Sequence, residues 1–97
     1  MVLKKIAYIS TGHKDNLIGI SVHVRKPKYY PLLKKYMTTE CVKKYLSDTG
    51  FNKVTKYSLD SVNILNFLLE NTNREIETVS IMQFEKEITE SIYELEF

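Results

Sequence analysis

The chain has 97 residues, 43% of them apolar and 27% charged, with eleven aromatics and only five Gly plus Pro, which fits one globular domain and excludes a disordered, collagenous or low-complexity chain. No long uncharged apolar run is present, which argues against a membrane-spanning helix, and the start Met1-Val2-Leu3-Lys4-Lys5 does not read as a secretory signal. The net charge of +2 hides an asymmetry, with ten basic against three acidic residues over 1–50 and four against nine over 51–97, so a basic surface and a separate acidic one are expected.

Residues 2–9 read as a strand, apolar on both faces through Leu3, Ile6, Ala7, Tyr8 and Ile9, and so expected inside the sheet. The turn-rich segment Ser10–Asn16 then leads into a second strand over 17–25, where Ile18, Ile20, Val22 and Val24 alternate with more polar neighbours, so an antiparallel hairpin is expected. Pro31 opens a helix whose apolar stripe runs through Leu32, Leu33, Tyr36, Met37, Cys41, Val42, Tyr45 and Leu46 to a stop at Gly50, with a break near Thr38-Thr39 where a hydroxyl can cap a second short helix.

Residues 51–57 suit a short edge strand, and Ser58 with Asp60 reads as the start of a further helix with Val62, Leu65, Leu68 and Leu69 on its inner side. Asn71-Thr72-Asn73 closes it. Residues 75–84 return to strand character, and Tyr93, Leu95 and Phe97 alternate with Ile92, Glu94 and Glu96 as a terminal strand. The expected architecture is a single α+β domain over 1–97, an antiparallel sheet with two helices on one face in the order β-β-α-(β)-α-β-β. Ile18, Ile20, Val22, Val24, Leu65, Leu69, Tyr93 and Leu95 are expected in one core.

The inventory for catalysis is thin. Cys41 lies among apolar helix residues and reads as a buried, inert thiol, and its solitary state excludes an internal disulfide and suits a reducing cytoplasm. His23 shares a strand face with Ser21 and Arg25, an arrangement that any strand produces by its period of two. The segment Ser10–Lys14 holds Gly, Lys and hydroxyls, but a strand follows it instead of the helix that a phosphate-binding loop opens. His13, Asp15 and Asn16 are too few to hold a metal. No catalytic residue, metal or cofactor is therefore assigned, and no motif assigns the chain to a family.

The strongest local feature is Arg25–Lys35, with five basic residues, two tyrosines and no acid. Cations meet phosphates or carboxylates and tyrosine rings stack or bury, so Arg25, Lys26, Lys28, Tyr29, Tyr30, Lys34 and Lys35 form the candidate binding surface. Lys43, Lys44, Lys53 and Lys56 form a secondary one, because residues 40–58 resemble a helix-turn-helix with its turn at Thr49–Asn52. Glu85, Glu87, Glu90, Glu94 and Glu96 supply the acidic counterpart.

These features favour a small non-catalytic binding protein that acts as an inhibitor or adaptor of a larger protein. The alternative is a nucleic-acid-binding regulator that uses the basic, tyrosine-bearing surface. A membrane partner is not expected, and a homodimer stays open. The Lys, Asn, Ile, Tyr and Glu bias suits an AT-rich genome such as that of a phage or other mobile element.

Overall fold

The computed structural model describes residues 2–14, 17–44, 52–70 and 78–96, with the backbone alone over 78–82. One helical turn, α1 (Leu3–Ile6), precedes β1 (Ala7–Lys14) and β2 (Leu17–Val24). A 3₁₀ turn at Pro27–Tyr29 leads into α2 (Tyr30–Tyr36) and α3 (Thr39–Lys43), then come β3 (Lys53–Leu59), β4 (Ile64–Glu70) and α4 (Thr78–Tyr93). The strands form one four-stranded antiparallel sheet in the order β1-β2-β4-β3. Since β4 runs antiparallel to both β2 and β3, those two point the same way with β4 between them. The chain therefore makes a split β-α-β unit with α2 and α3 as its crossover.

Alternation decides which face is covered. Ile18, Ile20 and Val22 of β2 and Leu65, Phe67 and Leu69 of β4 are buried on one side, where Leu33, Met37, Val42, Ile88 and Ile92 from the helices complete the core. The helices thus lie on a single face of an α+β sheet. Val24, Tyr93 and Leu95, expected in the core, are only half-buried, with Val24 and Leu95 packed against its margin.

Local chemistry explains the helix starts. Pro31 stands in the first turn of α2, where its missing N–H costs nothing. The helix ends at Met37, and Thr38 caps α3 by accepting the Cys41 N–H at 3.2 Å, the break expected from the two threonines. Residues 53–59 form the edge strand anticipated near 51–57.

The element order differs from the expected one in its second half. The helix anticipated from Ser58 is a hairpin: Asp60–Val62 make a short 3₁₀ turn, and Asn63 adopts left-handed backbone (φ 56°, ψ 48°), which asparagine tolerates better than most residues. Val62, Leu65, Leu68 and Leu69 fit a helical stripe, but Leu65, Phe67 and Leu69 fit a strand face as well. Pairing on both edges of β4 settles the choice.

From Thr78 onward the strand expected over 75–84 is α4, which also takes up Ile92 and Tyr93 of the expected terminal strand, and its Phe84, Ile88 and Ile92 recur every four residues toward the sheet. The end of the chain still closes on its beginning. The Leu3 N–H donates to the Leu95 carbonyl at 2.8 Å, and Val2 bridges Glu96. At the start of the chain Leu3–Ile6 is helical, Ser10–Lys14 continues β1 instead of forming the expected loop, and β1 lies at the edge of the sheet, not inside it. Its Ser, Thr and Gly content reflects an exposed edge strand instead of a turn. Tyr45, Leu46, Thr49–Phe51, Asn71–Asn73, Ile76 and Phe97 lie outside the described residues, as do Asp15 and Asn16.

Candidate binding surfaces

Residues paired across strands share a face, so the register also defines the side of the sheet opposite the core. It carries four cross-strand rows: Tyr8–His23–Ile64–Leu59, Ser10–Ser21–Asn66–Tyr57, Gly12–Gly19–Leu68–Thr55 and Lys14–Leu17–Glu70–Lys53. Tyr8, Tyr57 and Leu59 are 48%, 51% and 41% exposed, so this face is open to solvent.

Its side chains are held in a set arrangement. The Tyr8 and His23 rings stack with centroids 4.6 Å apart and planes within 3°, and the Arg25 guanidinium lies 5.9 Å from the Tyr8 centroid. Ser10 Oγ is 3.0 Å from His23 Nε2, and the Ser21 hydroxyl donates to Asn66 Oδ1. Ser10 and His23 have the separation of a nucleophile and its base, yet Ser10 is exposed on an open face, where water competes for every charge that forms.

The basic connection starts at the Tyr8 end of this face. Arg25 is fixed there by its N–H, which donates to the Ile6 carbonyl at 2.8 Å, while Arg25, Lys26 and Lys28 expose their side chains. The remaining members of the segment are placed differently. Tyr30 is a core residue whose ring is turned inward, and its hydroxyl donates to Asp60 Oδ1 at 2.6 Å. Lys34 pairs with the same carboxylate at 3.0 Å. Lys28 and Lys35 lie over the Tyr29 and Tyr36 rings at 5.1 and 5.2 Å. Burial and the Asp60 hydrogen bond push the Tyr30 phenol up to about 12, while that bond and Lys34 hold Asp60 below the usual carboxylate range.

The secondary lysines do not converge. Lys43 and Lys44 are exposed on and just after α3, Lys53 sits on the open face 3.9 Å from Glu70, and Lys56 reaches the core side to donate to the Lys34 carbonyl at 2.6 Å. Partial burial and the nearby Lys34 lower its pKa. Because Lys53–Leu59 is a strand, it is not the second helix of a helix-turn-helix, and that likeness is corrected.

The other candidate groups have structural partners. Cys41 is partly buried, and burial pushes its thiol up, away from the thiolate that nucleophilic chemistry needs. His13 Nδ1 lies 2.8 Å from Glu85 Oε1, and Thr11 donates to the same carboxylate at 3.4 Å, tying α4 to β1. The acids spread along α4 and just beyond it, with Glu94 paired to Lys4 at 2.8 Å. Sequence reasoning missed the open face because its rows take residues from all four strands; the cross-strand pairs are not neighbours in sequence.

A four-stranded antiparallel sheet with helices on one face and a split β-α-β unit at its centre defines a small α+β domain of ferredoxin-like type. Residues 1–82 match the AtuA ferredoxin-like domain, and the chain belongs to that family. No curated protein and no solved structure matches it significantly. Here the edge place beside β2 is filled by β1, from the N-terminal side. The family name describes a fold. An iron–sulfur cluster is held by a set of thiolates, and Cys41 is the single cysteine, so the residues do not fit that cofactor.

Proposed function

We propose that the chain is a non-catalytic binding domain that acts on a larger protein as an inhibitor or adaptor, through the end of the molecule that joins Arg25, Lys26 and Lys28 to Tyr8, Leu59 and Val62. One observation carries this reading: exposed cations and exposed apolar side chains meet at that end. Arg25 lies over Tyr8, the Val24 N–H donates to the Asn63 carbonyl at 3.5 Å, and Val62 is 57% exposed in the adjoining turn. Tyrosine and arginine are over-represented where protein interfaces bury their centres, and the surrounding lysines steer an acidic partner into place. The half-buried, single thiol supports a reducing, cytoplasmic setting, and the residue bias supports a phage or mobile-element source.

The second reading is a regulator that binds single-stranded nucleic acid, favoured by Tyr8, His23 and Tyr57 on an open four-stranded sheet, a surface on which bases stack. The Tyr8 ring already stacks on His23, with the Arg25 guanidinium 5.9 Å from its centroid, which leaves it less free to stack on a base and weighs toward the protein partner. Affinity capture from host lysate with and without nuclease separates the two. A protein retained at high salt after nuclease, and lost with Tyr8→Ala or with Arg25, Lys26 and Lys28 changed together to Ser, supports the first. Loss of capture on nuclease treatment, with a log–log salt slope of roughly −2.1 for three phosphate contacts on a single strand, replaces it with the second.

A further inference from the structure

At the end of the open face away from Arg25, a depression of about 460 Å³ is lined by Ser10, Gly12, Lys14, Leu17, Gly19 and Ser21, among others. We propose that it is a binding site for a small planar anion, a flat aromatic ring that carries a carboxylate or a phosphate.

The floor is bare backbone because Gly12 and Gly19 face each other across β1 and β2. Nothing in the fold requires glycine at either place. Neither has left-handed backbone; a Cβ on Gly12 meets nothing within 4 Å, and one on Gly19 meets only the Gly12 carbonyl oxygen at 3.9 Å. Glycine in a strand costs conformational entropy and packs nothing, and it is found where a ligand approaches the backbone closely.

The walls give the ligand its chemistry. On one side stand the Ser10 and Ser21 hydroxyls, oriented by His23 and Asn66; the Ser21 proton already goes to Asn66, which leaves Ser21 to accept, while Ser10 donates to or accepts from the edge of a ring according to the tautomer of His23. On the other, Leu17 and the adjoining Leu68 offer apolar contact one side chain high, which suits a flat group. Lys14 supplies the cation, and among the described residues no carboxylate pairs with its ammonium.

The test is a titration of the ¹⁵N-labelled full chain with benzoate and, separately, with adenosine 5′-monophosphate, followed through the backbone amides. Saturable shifts at Gly12 and Gly19 with either probe are expected, and the probe that binds more tightly identifies a carboxylate or a phosphate source. Benzamide, equally flat but uncharged, should bind ~10-fold more weakly than benzoate if Lys14 reads the charge. Gly19→Val fills the floor and should abolish binding in a chain whose remaining amide spectrum stays native. Gly12→Ala, whose methyl enters open space, provides the same reading if valine disturbs the hairpin. Absence of saturable shifts at both glycines, shifts spread only over surface lysines, or unchanged binding by folded variants would overturn the proposal.

Discussion

Tyr30, at the start of α2, donates its hydroxyl to Asp60, in the turn between β3 and β4, at 2.6 Å, so one hydrogen bond joins the crossover to the hairpin that follows it. Burial and the carboxylate push the Tyr30 phenol from 10.0 to about 12, so the folded chain holds this proton more tightly than the unfolded one. The associated stability is complete below pH 10.0 and is lost as the pH rises toward about 12. Asp60 shifts the opposite way, so its contribution is complete above 3.8 and fades as the pH falls through its lower folded value. Tyr30→Phe should cost about 1 kcal/mol at neutral pH and reduce the alkaline loss, as seen in urea titrations at pH 8 and 11.5. Identical alkaline behaviour of the two proteins would refute the assignment.

The assignment of residues 64–70 to a strand has its own test. Leu65, Phe67 and Leu69 all enter the core, so truncation of each to Ala should cost about 2–5 kcal/mol. Phe67 discriminates, because the helical stripe through Leu65, Leu68 and Leu69 leaves it outside. If Phe67→Ala is neutral in chemical denaturation while Leu68→Ala is severe, the strand is wrong.

Tyr93 closes part of the β1 edge, since the Ile9 N–H donates to its hydroxyl at 2.8 Å. Tyr93→Phe removes the acceptor and leaves that amide exposed on an edge strand. A loss of about 1 kcal/mol is expected, with faster hydrogen exchange at Ile9 and little change at Val22 in the adjacent central strand. Equal exchange at Ile9 in both proteins would remove Tyr93 from this role.

Cys41→Ala should leave partner binding intact, because the proposed contact does not use that side chain, and His23→Ala, which removes the ring stacked on Tyr8, should weaken it without abolishing it. His13→Ala should also bind normally, yet it breaks the contact with Glu85 and should cost about 1 kcal/mol of stability. Loss of function in a folded His23→Ala protein of unchanged stability would return the Ser10–His23 pair to consideration as a catalytic dyad.

The α+β class, the first hairpin, the threonine break between α2 and α3 and the buried run Ile18, Ile20 and Val22 are legible in the amino-acid sequence, because each follows from local chemistry: alternation, a proline in the first helical turn, a hydroxyl cap. The basic connection is legible as well, since its charges are neighbours in sequence. Beyond the edge strand near 51–57, tertiary structure alone decided the second half. The segment 64–70 satisfies both a helical and a strand pattern, and its place between β2 and β3, where both edges find hydrogen-bond partners, selects the strand. Likewise only the fold separates Tyr30, turned inward to Asp60, from Arg25, turned outward to Tyr8, and brings Gly12 against Gly19, because burial and cross-strand pairing depend on residues distant in the chain.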